Sequence, residues 1–220
     1  MLNANQQINV MIANGAGTAM TEKRFLEQEI RMWKNSEFRA LQITGEEYYR
    51  VEHEILHRQR TAIGKDGALI PVFNLPNNKV IDNQYAKAVD QKTNYLLSKP
   101  ILFETENEKY LEAIKKYTGS RFLRMIKNVG KDALNGAVAW VHPYYDDSGD
   151  LKFMRFKPYE ILPFWKDAEH TELDAALRLY EVRGYEGELE VTIEKVEYYT
   201  RDGIMRYVLD NGQLIEDVEN

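Results

Sequence analysis

A change of hydrophobic period at Gly136 constrains this chain more than any other feature. Up to that glycine, apolar residues recur at three- and four-residue steps; beyond it they alternate. The first spacing gathers one face of a helix, the second one face of a strand. Helices are expected over residues 21–35, 44–60, 83–98, 106–117 and 121–135. Strands are expected over 137–145, 151–156, Ile161–Trp165, 174–183, Leu189–Tyr199 and 204–209, with Leu214 and Ile215 beginning a returning strand. Helices first and antiparallel strands after them make an α+β fold with an N-terminal helical part and a strand-rich half.

Local signals place the joints. Thr44 and Glu47 stand at capping-box spacing, with Tyr48, Val51 and Ile55 as the apolar stripe behind them. Asp82 or Asn83 caps the third helix, whose stripe is Ala86, Val89, Thr93 and Leu96, and Pro100 stops it. Gly119, and Asn135 with Gly136, sit where a left-handed helix cap is easiest. Asp146 to Asp150 reads as a hairpin turn, as do Arg201-Asp202-Gly203 and Asp210-Asn211-Gly212. Leu189, Val191 and Ile193 oppose Glu190, Thr192 and Glu194, which gives that strand one dry and one wet face.

Between Leu75 and Ile101 the literal residues carry more than their period. The run LPNNKVIDN, then VDQKTNYLLSKPI, resembles the wing region of tailed-bacteriophage portal proteins of the Bacillus-phage type. Flanking pieces agree in order: 33–36, Tyr48-Tyr49, 55–60, 134–139, 149–156, Ile161–Trp165 and 177–180. The resemblance covers about residues 33–199. Ser98 stands where glycine is common, and Lys92-Thr93 is a more polar helix step than usual.

That resemblance implies a structural subunit without a catalytic role, a cofactor or a metal. Such subunits form a homo-oligomeric ring, usually dodecameric, at one capsid vertex. The ring passes double-stranded DNA during packaging and ejection, and docks terminase, capsid and head–tail connector proteins. The implied location is the virion, with assembly in the host cytoplasm. Family members are about twice as long, so the chain is expected to stop before the stem and clip. Residues 1–20, rich in Asn, Gln, Gly and Ala, are expected to be a flexible arm, and 21–220 a portal wing-like α+β domain.

Composition agrees. The 220 residues are 44% hydrophobic and 29% charged, the balance of a globular protein. No apolar run approaches the roughly 20 residues that cross a bilayer. Cysteine is absent, which removes disulfides, thiolate metal sites and a thiol nucleophile. A net charge of −6 opposes a tight non-specific grip on nucleic acid, so contact with DNA is expected to be weak.

One enzymatic motif competes. His53-Glu54-Ile55-Leu56-His57 is a literal H-E-x-x-H on the helix expected over 44–60. There the two imidazoles would lie one turn apart, and Glu54 could activate a zinc-bound water. A zinc-dependent metallopeptidase is therefore the alternative reading. Against it, the extended motif fails at Arg60 and Ile63, and Glu104, Glu106 and Glu112 qualify as a third ligand by position alone. Asp146 to Asp150 lacks the order of a calcium loop, and Gly15 to Gly17 has no lysine to make a phosphate loop. The aromatic residues of the strand half, Trp140, Tyr144, Tyr145, Phe153, Phe156, Phe164 and Trp165, are expected to fill a core or a subunit interface. The interface is sought among those exposed aromatics and on the helix of residues 83–98.

Overall fold

A computed structural model of the chain describes residues 19–217. The expected arm lies outside them, except that Ala19 and Met20 open the first helix. In chain order the elements are α1 (Ala19–Lys34), α2 (Glu37–Tyr49), a 3-10 turn at Glu54–Leu56, β1 (Thr61–Ile63) and β2 (Leu69–Pro71). Then come α3 (Gln84–Leu97), α4 (Glu108–Tyr117), α5 (Ser120–Gly136), β3 (Trp140–Tyr145) and β4 (Leu151–Phe156). Last are a 3-10 turn at Pro158–Glu160 and β5 (Ile161–Trp165), β6 (Leu173–Glu186), β7 (Leu189–Tyr199), β8 (Ile204–Asp210) and β9 (Gln213–Glu216). The fold is α+β, with the helices in the N-terminal half and antiparallel strands after them. Two compact units divide it: residues up to Ala40 with those from Phe156 onward, and Leu41–Arg155.

The first unit is α1 laid on a five-stranded antiparallel meander, β5-β6-β7-β8-β9, in which each strand pairs with its neighbour in sequence. Leu26, Ile30 and Trp33 fall one turn apart on α1 and are buried. Leu26 and Ile30 pack against Phe164, Leu177, Leu179, Val196, Tyr198 and Leu209. Fully burying one such leucine or isoleucine is worth about 1.5–3 kcal/mol. Two polar ties fix the helix on the sheet: the Leu214 amide donates to Glu27 Oε1 at 2.9 Å, and Lys34 Nζ to Glu194 Oε2 at 2.8 Å.

This core corrects the face expected for β7. Its buried residues are Val196 and Tyr198, which alternate with Glu197 and Tyr199. By that alternation Leu189, Val191 and Ile193 share a face with Lys195 and Glu197, away from α1. β7 also outruns the sheet. β5 pairs only with the start of β6, up to Arg178, and β8 pairs with β7 only from Glu194 onward. Glu181 to Glu194 is therefore a bare two-stranded ribbon, in register Val182↔Ile193 and Gly184↔Val191.

The second unit holds α3 and α5 in close contact. Val89 and Thr93 are buried on α3, and a Cβ added to Gly130 of α5 would come 2.7 Å from Leu97 Cδ1. Leu96, expected on the same stripe, is exposed; the buried line runs Val89, Thr93, then half-buried Leu97. Asn83 caps α3 as expected, its Oδ1 accepting from the Ala86 amide at 2.9 Å, and its Nδ2 donates to the Tyr48 carbonyl at 2.8 Å. One residue thus starts one helix and holds the end of another. Asp132, buried on α5, is paired with Arg155 Nη1 at 3.0 Å.

Three expectations at helix ends are corrected. α2 begins at Glu37, where Ser36 Oγ accepts from the Arg39 amide at 3.2 Å, so Thr44 and Glu47 lie inside the helix and make no capping box. α2 stops at Tyr49, and Val51 takes a left-handed φ of 72°. Gly119 has φ −72°, and the left-handed cap of α5 is Ala137 at φ 60°, one residue past Gly136.

Candidate functional site

The break at Val51 settles where the H-E-x-x-H residues lie. His53 precedes the 3-10 turn Glu54–Leu56 and His57 closes it, so the five residues do not form the continuous α-helix that would stack two imidazoles one turn apart. The helix expected through residue 60 is absent. His53 is half-buried with its ring centroid 4.5 Å from that of Tyr48, while Glu54 and His57 are exposed. Glu104 and Glu106 precede α4, and Glu112 lies on it. Among the described residues, no three His, Asp or Glu side chains are gathered as a ligand set.

Two polar clusters are built more deliberately. In the second unit, Tyr49 of α2, Asp90 of α3 and Lys131 of α5 meet. The Tyr49 hydroxyl donates to Asp90 Oδ1 at 2.9 Å, and Lys131 Nζ donates to Tyr49 Oη at 2.6 Å and to Asp90 Oδ1 at 2.8 Å. The lysine hydrogen bond holds the Asp90 carboxyl below its usual range, and the Asp90 carboxylate raises Lys131 in return. The group is a clip joining three helices. The protonated lysine has no lone pair to accept a proton, and the Asp90 carboxylate, its pKa held down, is a weak base whose Oδ1 already accepts from Tyr49 and Lys131.

In the first unit, the sheet face away from α1 carries Arg178. Its guanidinium reaches Glu160 and Glu197, each at 3.1 Å, and lies over the rings of Phe156 and Tyr180 at 4.3 and 4.0 Å. The Tyr199 hydroxyl donates to Glu197 Oε2 at 2.8 Å, and burial pushes its pKa far up. Lys195 pairs with Asp217 at 2.8 Å beside a hollow of about 310 Å³ that Tyr180, Glu197 and Arg206 also line. The charges balance inside the cluster. It ties the turn before β5 to β6 and β7.

The surfaces that remain unsatisfied are apolar. The aromatics singled out from sequence separate: Phe156 and Phe164 are buried, Phe153 packs on Phe122 with ring centroids 5.3 Å apart, and Tyr145 is exposed. In the second unit both strands of the β1–β2 hairpin are exposed throughout. Ile63 pairs with Leu69 across it, and Phe73 just beyond is 85% exposed. The segment after it is pinned back, Asn77 Nδ2 donating to the Arg58 carbonyl at 3.1 Å and Lys79 Nζ to that of Leu56 at 2.6 Å. Tyr95 and Leu96 add to the exposed apolar area on α3. In the first unit the β6–β7 ribbon exposes Tyr185 and Leu189. Neither the hairpin nor the ribbon stands out in the sequence as a surface. Apolar residues such as Ile63, Leu69 and Phe73 signal burial, and only the missing cover in the fold reveals them as available.

The chain is 27% identical over 170 residues to the portal protein of Bacillus phage SPP1, covering 77% of this chain and 33% of that protein. It is 27% identical over 176 residues to the portal protein of Clostridium phage phiCD119, covering 75% of this chain and 38% of that one. The chain thus spans about a third of the length of the curated relatives it matches. Neither relative's name carries a catalytic activity. The profile of the family described as phage portal protein, SPP1 Gp6-like, matches residues 34–220, and the chain belongs to that family.

Proposed function

We propose that this chain is the wing part of a portal subunit: a structural element of a homo-oligomeric, usually dodecameric ring at one capsid vertex. The ring forms the passage for double-stranded DNA in packaging and ejection, and docks terminase, capsid and head–tail connector proteins. Its place is the virion, after assembly in the host cytoplasm. The observation that carries this reading is the family match over residues 34–220. Two features support it. The well-ordered polar groups, Tyr49-Asp90-Lys131 and Arg178-Glu160-Glu197, are used to lock elements together. Large apolar side chains are left uncovered in both units, as an assembling protein requires. A closed ring needs a heterologous contact, one face of each subunit against a different face of the next.

Negative-stain electron microscopy of the gene product that carries this chain tests the proposal. Closed rings with a central opening are expected. Monomers persisting at all concentrations, with no rings, would overturn it.

A further inference from the structure

The β6–β7 ribbon and the β1–β2 hairpin are incomplete in complementary ways. A two-stranded ribbon alone in water is marginal and needs a third layer on its apolar face. From the register, Val182, Gly184, Val191 and Ile193 share one face of the ribbon, with Leu189 at its tip on the same side. β5 and β8 stop short of these residues, and Val182, Val191 and Ile193 are left only half-buried. Gly184 keeps the stripe low: an added Cβ would come 2.8 Å from Ile193 Cδ1. The β1–β2 hairpin has the same deficiency, with Ile63 and Leu69 side by side and Phe73 standing clear.

Charge distinguishes the two surfaces. The ribbon carries Glu181, Glu188 and Glu190 against Arg183: Glu188 lies in its turn beside the stripe, Glu181 is on the opposite face, and there Glu190 pairs with Arg183 at 3.5 Å. Lys195, at the base of the stripe's face, is neutralised by Asp217. Around the hairpin stand Arg58, Arg60, Lys65 and Lys79 against Asp66. A net-acidic ribbon with Glu188 at its turn fits a hairpin ringed by basic residues; two ribbons, or two hairpins, would set like charges together. Every copy bears one surface of each kind, and in a single copy both are open to solvent, Leu189 at 73% and Phe73 at 85%.

We propose that the β6–β7 ribbon of one copy docks on the β1–β2 hairpin surface of the next, a head-to-tail contact between copies of this chain. The contact rests on the ring-forming reading above and assigns residues to it. Leu189 and Val191 meet Ile63, Leu69 and Phe73, while Glu188 at the ribbon's turn faces Arg58, Arg60 and Lys65. A contact between unlike surfaces propagates around a ring, whereas a contact between like surfaces stops at a dimer.

These 220 residues hold no cysteine; any cysteine elsewhere in the gene product is first replaced by serine, and cross-links are read against that background. Gene product carrying Leu189→Cys and, separately, gene product carrying Phe73→Cys, each with a tag of different size, are mixed, assembled and treated with a short bis-maleimide. Mixed cross-links are expected to exceed same-residue cross-links about tenfold. Reversing the charge at the ribbon's turn with Glu188→Lys should lower their yield several-fold at low salt, while Asp202→Lys, in a turn away from the ribbon, leaves it unchanged. A predominance of Leu189–Leu189 or Phe73–Phe73 products, or no mixed product, overturns the contact. Rings formed without mixed product would sink this inference alone. Mixed product without rings would sink the portal reading and keep the contact.

Discussion

Glu29 is a buried carboxyl, 7% exposed on the sheet-facing side of α1, and burial raises its pKa above the ordinary 4.5. The charged form is the disfavoured one, so the folded protein holds this proton more tightly than the unfolded chain does. The stability it contributes is fully present below pH 4.5 and is lost as pH rises through the folded pKa. Glu29→Gln keeps the shape and removes the charge. At pH 7.5 the variant should be more stable by about 0.5–2 kcal/mol, a gain that shrinks toward zero near pH 4.5. Urea unfolding at the two pH values checks this, and an equal change at both would show that titration is not the cause. Asp167 has the opposite sign: the amides of Thr171 and Glu172 donate to it and pull its pKa down to about 2. Its contribution is present above pH 3.8 and is lost as pH falls through about 2.

At the scale of elements, Gly45 sets how closely α2 approaches α5. A Cβ there would collide with the Asn135 carbonyl and crowd the Tyr85 hydroxyl, itself bonded to Asn135 Oδ1 at 3.1 Å. A backbone carbonyl cannot rotate away as a side chain does. Gly45→Ala should therefore cost about 2–3 kcal/mol despite alanine's better helix propensity, read as a lower midpoint in thermal or urea unfolding. At Gly130 the neighbour is the end of Leu97, which can turn, and alanine there should cost less. The start of α2 is hidden in the sequence by a false signal. Thr44 and Glu47 have capping-box spacing inside the helix, whereas the true cap, Ser36, has Arg39 three residues on and so lacks that signature. Val51 and Ala137 adopt left-handed backbones that their side chains disfavour, and local pattern gives no sign of that. Where turn chemistry and period agree, position was legible: Ile161–Trp165 and Leu189–Tyr199 have their expected bounds, and Asn83 caps α3. Alternation in β7 was legible too, but which face is dry depends on how far the neighbouring strands reach, a tertiary fact. The proposed contact surfaces were hidden for the same reason.

For the whole molecule the decisive quantity is charge and where it is spent. A net charge of −6 opposes approach to a polyanion. Many of the basic side chains are neutralised locally, as in Lys116 with Asp150, Lys131 with Asp90, Arg155 with Asp132 and Lys195 with Asp217. Phosphate binding gains from counterion release only where several cations face the duplex at once. The one exposed cluster noted above, Arg58, Arg60 and Lys65, surrounds the hairpin surface assigned to the neighbouring copy. The proposed contact with the ribbon would cover this cluster and withdraw it from DNA on assembly. The chain should bind a 30-base-pair duplex no more tightly than about 10⁻⁵ M at 150 mM salt, measured by fluorescence anisotropy. What binding appears at low salt should fall with Arg58→Glu or Lys65→Glu and should not depend on base sequence. Sub-micromolar binding at 150 mM salt would mean that a basic face stays open to DNA, and the assignment of Arg58, Arg60 and Lys65 to a subunit contact would then have to give way.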